Sequence, residues 1–144
     1  NLDEAKNYDE WLELTQKIHN NIDINPNWVQ ATTYFVIRKS DNKIIGMVNI
    51  RHKLNDFLVE TGAGHIGYCI RPSERKKGYG TLALELALNR CGELGVEDVI
   101  VGCYIDNIGS QKCIENNGGK KIQTLEFHGK PSYKFLIDNR RRLK

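Results

Sequence analysis

Three prolines and one methionine occur among the 144 residues, and no apolar run approaches the ~20 residues that a membrane-spanning helix needs. Nor does an apolar h-region near the N-terminus mark a secretory leader, so a membrane is not an expected partner. There is no Cys-x-x-Cys and no His-x-x-x-His spacing, so no metal centre is expected. Cys69, Cys91, Cys103 and Cys113 read instead as small hydrophobes in a chain that buries its core without staples. That cysteine usage points to a reducing, cytoplasmic setting. A dominant charge is also missing: 21 Lys and Arg face 18 Asp and Glu, which argues against a wholesale nucleic-acid binder. The basic tail Arg140-Arg141-Arg142-Leu143-Lys144 reads as a solvated terminal run. Hydrophobic residues make up 40% and charged residues 27%, which excludes disorder and fibrous repeats. What remains is one domain over residues 1–144. The chain begins at Asn1 rather than Met, as a trimmed fragment lacking a first N-terminal strand would.

Trp11, Leu14 and Ile18 recur at three- and four-residue steps and predict a helix over 8–20. Thr32 to Arg38 and Ile44 to Ile50, separated by Ser40-Asp41-Asn42-Lys43, predict an antiparallel hairpin. Residues 53–63 read as a loop. Gly64 to Ile70 predicts a third strand, stopped by Pro72. Leu84, Ala87, Leu88, Cys91 and Leu94 form one helical stripe over 81–94, ended by Gly95. The apolar run from Val99 to Ile105 predicts a strand covered on both faces. A shorter helix follows over 107–116, then closing strands over 122–127 and 133–137. The 64–105 stretch is a β-α-β unit whose strands should be parallel, flanked by antiparallel hairpins. The expected class is therefore α/β (α+β), with a mixed, mostly antiparallel sheet and packed helices.

Arg75-Lys76-Lys77-Gly78-Tyr79-Gly80-Thr81 lies between a strand and the long helix. The two glycines let a ligand approach the backbone, and their N–H groups with the first-turn amides make an anion-binding concavity. Three cations at the same mouth suit a phosphate or a pyrophosphate. A Walker loop is excluded because the lysines precede Gly78. Gly78-Tyr79-Gly80-Thr81-Leu82-Ala83 does match the dinucleotide pattern G-x-G-x-x-A. Against a nicotinamide-dependent oxidoreductase, Pro72 to Lys77 separate the first glycine from its strand. Asp98 has the spacing of a ribose-binding acid but starts its strand, and Asp106 ends that strand but lies too far along.

Arg75-x-x-Gly78-x-Gly80 resembles the [QR]-x-x-G-x-[GA] acyl-CoA-binding motif of the GCN5-related N-acetyltransferase (GNAT) family. Asn107-Ile108-Gly109-Ser110 and Glu115-Asn116-Asn117-Gly118-Gly119 are similar to the same family's N-x-x-S and E-x-x-G-[FG] stretches. Gly64-His65-Ile66-Gly67-Tyr68 through Arg75 resembles one bacterial branch of predicted acetyltransferases. The likeness runs from about Gly64 to Lys121. It implies an acyl-CoA N-acyltransferase fold, splayed between the parallel strands matching 64–70 and 99–105, with acetyl-CoA as co-substrate. Ile70 and Arg71 should then offer backbone groups to the pantetheine arm. Arg75, Lys76, Lys77, Gly78, Tyr79, Gly80 and Thr81 should surround the pyrophosphate, and Asn107 and Ser110 should lie beside the pantetheine.

The implied reaction is direct attack of a primary amine on the thioester, with proton removal and oxyanion donors to be supplied. Many relatives carry a Tyr acid where this sequence has Ile114, with Cys113 before it; Tyr104 is another hydroxyl near the expected notch. His65 leads the candidates for the base, followed by Glu60 and His52. The alternative is a CoA-binding regulatory or degenerate module without turnover, suggested by the missing Tyr. The expected partner is a small-molecule or peptide amine, and a homodimer stays open.

Overall fold

The computed structural model describes residues 5–144. Helix α1 spans Tyr8–Asn20, capped by the Asn7 side chain, which accepts from the Glu10 N–H, and it buries Trp11 and Ile18. Strands β1 (Ala31–Arg38) and β2 (Lys43–Arg51) form the expected hairpin, with a register shift at Val36/Ile37. Residues 53–63 are not all loop: α2 spans Asp56–Thr61. The Asn55 side chain caps it by accepting from the Leu58 N–H, and Gly62 closes it at φ 83°. Six residues are too few for a helical period to show in sequence.

Strand β3 (Ile66–Ile70) pairs antiparallel with β2, Ile50 opposite Ile66 and Gly46 opposite Ile70. A 3-10 turn over Pro72–Glu74 leads into α3 (Tyr79–Glu93), whose stripe of Leu84, Ala87, Leu88 and Cys91 is buried. Then come β4 (Asp98–Tyr104), α4 (Ile108–Asn116), β5 (Lys120–Phe127) and β6 (Lys130–Asp138). The strands make two three-stranded antiparallel sheets, ordered β1-β2-β3 and β4-β6-β5. One core joins them: Ile50, Ile66 and Ile70 from the first sheet meet α3, Ile114 of α4, and Val99, Val101, Phe135 and Ile137 from the second. The architecture is thus the expected mixed α/β class, and no helix among the described residues is long and apolar enough to cross a membrane.

Two further expectations need correction. Strand β4 is covered on one face: Val99 and Val101 are buried, while Gly102, Cys103 and Tyr104 line an open cavity. The apolar run therefore reflects a cavity wall as well as a core face. The terminal arginines are not simply solvated either. A second 3-10 turn, Arg140–Arg142, packs on α3 so closely that a Cβ on Gly92 would stand 2.0 Å from the Arg142 carbonyl oxygen. Fully buried Asn139 fastens this turn by donating to the carbonyls of Leu88 (3.0 Å) and Val96 (3.3 Å).

Candidate active site

The two sheets meet where β3 begins. The His65 N–H donates to the Ile100 carbonyl at 2.7 Å, and the Ile100 N–H donates back to His65 Nδ1 at 2.9 Å. Gly64 makes this approach possible, since a Cβ there would lie 2.5 Å from the Ile100 oxygen. Among the described residues no ladder links β3 to β4 beyond this rung. Instead a cavity of about 320 Å³ opens between them, walled by Ile66, Gly67 and Tyr68 on one side and Gly102, Cys103 and Tyr104 on the other.

His65 closes this notch and is not a free base. A backbone N–H can only donate, so Nδ1 is the acceptor and the neutral ring carries its proton on Nε2. Burial first, and the Arg51 charge second, lower its pKa to about 4. The ring thus has no lone pair available at neutral pH. The other base candidates lie apart from the notch lining. His52 Nε2 is 2.8 Å from the Thr32 hydroxyl, which also contacts His19 Nδ1 at 2.8 Å, and Glu60 is exposed on α2. Tyr104 lines the notch, Ile114 is buried in the core, and Cys113 Sγ faces Gly80.

At the start of α3, Gly78 takes φ 86° and no side chain among the described residues caps the helix, so its first amides have no side-chain acceptor there. That bowl, with exposed cations around it, fits a diphosphate. Arg71 and Lys76 have no carboxylate partner among the described residues. Arg75 Nε donates to the Ile70 carbonyl at 2.9 Å, and the Arg71 N–H donates to Ile45 at 2.7 Å. These two main-chain groups, expected to face a pantetheine, are engaged within the protein. The Tyr79 hydroxyl is 3.4 Å from Arg38 Nη1. Gly80 packs so near Cys113 that a Cβ would lie 2.8 Å from Sγ, and the Thr81 carbonyl accepts from Asn117 at 3.1 Å. Across the notch, Asn107 caps α4 by accepting from the Ser110 N–H at 3.1 Å. The expected binding residues are therefore gathered at the starts of α3 and α4, while His65 sits at the root of the notch.

Three residues were missed from sequence. Tyr68 reaches across to α4, its hydroxyl 2.9 Å from Ser110 Oγ, and burial raises its pKa so that it stays protonated. Its place in the strand alternation puts it on the face of Ile66 and Ile70, which was readable. Glu74 is buried beneath the glycine loop, contacting Lys77 (3.1 Å), Arg38 (2.7 Å) and Lys43 (3.3 Å), and these cations lower its pKa to about 2. Arg51 donates through Nη1 to the Gly64 carbonyl at 2.7 Å and lines both the notch and a second cavity. Nothing local in sequence marks Glu74 or Arg51.

The chain thus carries two sheets splayed apart beside an uncapped helix N-terminus. Residues 3–120 match the acetyltransferase (GNAT) domain, and the chain belongs to that family of acyl-CoA-dependent acetyltransferases. Similar solved structures include a spermidine N-acetyltransferase chimera from Vibrio cholerae and hSSAT, with a TM-score of 0.70. Its identity is 18%, over 97% of this chain and 81% of that one. The ribosomal-protein-S5-alanine acetyltransferase from Vibrio fischeri has 18% identity over 94% and 78% of the chains, with a TM-score of 0.67. AAC(6')-Ib in complex with paromomycin and acetyl-CoA has 20% identity over 78% and 66%, with a TM-score of 0.59. Comparison by sequence with curated proteins gave no match.

Proposed function

We propose that this chain, acting as one domain over residues 1–144, transfers the acetyl group of acetyl-CoA to a primary amine at the β3–β4 notch. The observation that carries the reading is the open notch with an uncapped α3 N-terminus beside it, flanked by Arg71 and Lys76. Acetyl-CoA supplies an activated thioester that a neutral amine attacks directly. Main-chain donors from Lys76 to Thr81, with Arg71, Arg75 and Lys77, would hold its diphosphate. Ile70, Asn107 and Ser110 would flank the pantetheine.

In this reading His65 sets the width of the notch through its two bonds to Ile100. Tyr68, neutral across the working pH range, donates a hydrogen bond to the departing thiolate, which then takes its proton from water. It replaces the hydroxyl that Ile114 cannot offer. The ammonium proton of the acceptor leaves to solvent before attack, and the second proton, which the nitrogen loses once bonded to the acetyl carbon, passes through water to the thiolate. Relatives named for spermidine and for a ribosomal protein share the fold at 18% identity, so the acceptor does not carry over from them. The free thiols of all four cysteines suit a reducing, cytoplasmic setting.

The test is calorimetric titration with acetyl-CoA, followed by thiol release in the presence of an amine panel. Saturable binding with amine-dependent release is expected. An intact chain that binds no acetyl-CoA at millimolar concentration overturns the reading. Binding without release across the panel would select the non-catalytic CoA-binding module, which the absent Tyr at Ile114 favours.

A further inference from the structure

Glu74 places a carboxylate, 4% exposed, beneath the loop that the reading above assigns to a diphosphate. Alone, that charge would repel the ligand. Three cations surround it: Lys77 Nζ at 3.1 Å from the loop itself, Arg38 Nη1 at 2.7 Å from the end of β1, and Lys43 Nζ at 3.3 Å from the start of β2. Arg38 is fixed in turn by Asp41 in the hairpin turn, its Nε and Nη2 donating to the two carboxylate oxygens at 3.0 and 2.6 Å. The same guanidinium lies 3.4 Å from the hydroxyl of Tyr79, the first residue of α3. One carboxylate thus ties the β1–β2 hairpin to the loop, and its chief partner also touches the helix that follows.

The segment so tied holds a conformation that its own residues do not favour. Lys76 takes φ 63°, left-handed for a residue with a Cβ, and Gly78 takes φ 86°. Left-handed residues in such a run turn backbone N–H groups into a concavity that suits an anion. A non-glycine residue stays there only where its surroundings over-determine it. Both neighbours of Lys76 are anchored. Arg75 Nε donates to the Ile70 carbonyl at 2.9 Å, and Lys77 Nζ donates to Glu74.

We propose that Glu74 is a positioning residue for acetyl-CoA: it fixes the main chain of residues 76–81 against the β1–β2 hairpin, so that the N–H groups are set for the diphosphate before the ligand arrives. The inference rests on the acetyltransferase reading above. Such preorganisation strengthens binding by sparing the cost of ordering the loop at the moment of association. Charge and position make opposite predictions at this residue. Glu74→Gln removes a negative charge near the diphosphate and releases three cations, so charge alone predicts tighter acetyl-CoA binding. Lost positioning predicts weaker binding.

Acetyl-CoA affinity is measured by calorimetry on the full chain, and that of S-acetylpantetheine, which lacks the diphosphate, by competition against it. Glu74→Gln should raise the Kd for acetyl-CoA about tenfold and that for S-acetylpantetheine by less than about twofold. Tighter or unchanged acetyl-CoA binding overturns the inference. Equal losses for the two thioesters, as a general weakening of the fold would give, overturn it too. Should circular dichroism show Glu74→Gln unfolded, Glu74→Asp decides. It keeps the charge but draws the carboxylate one methylene back from its cations. A loss selective for acetyl-CoA supports the inference there, and an equal loss or none overturns it. A wild-type chain that binds no acetyl-CoA overturns the acetyltransferase reading itself, and this inference with it.

Discussion

His65 offers the sharpest test of how the notch is held open. In the unfolded chain a histidine takes up a proton near its ordinary value of about 6.5. In the folded chain, burial and the Arg51 charge delay protonation to about 4. Between these values the unfolded state binds more protons than the native one. The contribution is therefore fully present above pH 6.5 and is lost as pH falls towards 4. At about 1.4 kcal/mol per pH unit, the window corresponds to roughly 3 kcal/mol. His65→Asn separates this effect from the hydrogen bond, because an amide oxygen can still accept from the Ile100 N–H but does not titrate. His65→Leu removes both and leaves a buried N–H unpaired, at a cost of about 1–3 kcal/mol at every pH. Urea unfolding, followed by the fluorescence of buried Trp11, measures all three proteins at pH 7.5, 5.5 and 4.5. Wild type should lose stability on acidification faster than His65→Asn, while His65→Leu should be weaker throughout. The reasoning is refuted if wild type and His65→Asn lose equal stability between pH 7.5 and 4.5, because the two proteins differ at residue 65 alone.

Gly80→Glu should abolish acetyl-CoA binding in calorimetry by placing bulk and negative charge at the α3 N-terminus, whereas Gly80→Ala requires only that the Cys113 thiol, 2.8 Å from the new Cβ, give way. Tyr68→Phe should lower kcat about 100-fold with little change in acetyl-CoA affinity, and an unchanged kcat in stopped-flow thiol release would remove Tyr68 from the mechanism. Glu74→Gln leaves Lys77, Arg38 and Lys43 without their shared carboxylate. Its urea midpoint should fall at low salt and recover in part at high salt. In wild type the stability from Glu74 is present above its ordinary pKa of 4.5 and disappears as pH falls through about 2, so the two proteins should converge under strong acid.

The helices and hairpins were legible because their signals are local. Trp11 and Ile18 on α1, and Leu84 through Cys91 on α3, repeat at the helical period and are buried as that period requires. The Arg75-x-x-Gly78-x-Gly80 loop was legible for the same reason: its residues act within one turn of chain. Helix α2 was not, since its evidence is two end caps around six residues. His65 was readable as a residue near the notch but not as its fastener, because the partner, Ile100, is 35 positions away.

Composition and spacing alone thus determined the order of the elements other than α2, the α3 face that would be buried, and the glycine loop with its cations, since each depends on neighbours within a few residues. Only the tertiary structure decided which groups have protons to give or take. It buried Glu74 among Lys77 and two cations from distant segments, engaged the His65 lone pair with Ile100, and placed Arg51 between two cavities with no carboxylate partner among the described residues. Ionisation depends on solvent exclusion and on charges a few ångströms away in space, and a linear sequence records neither.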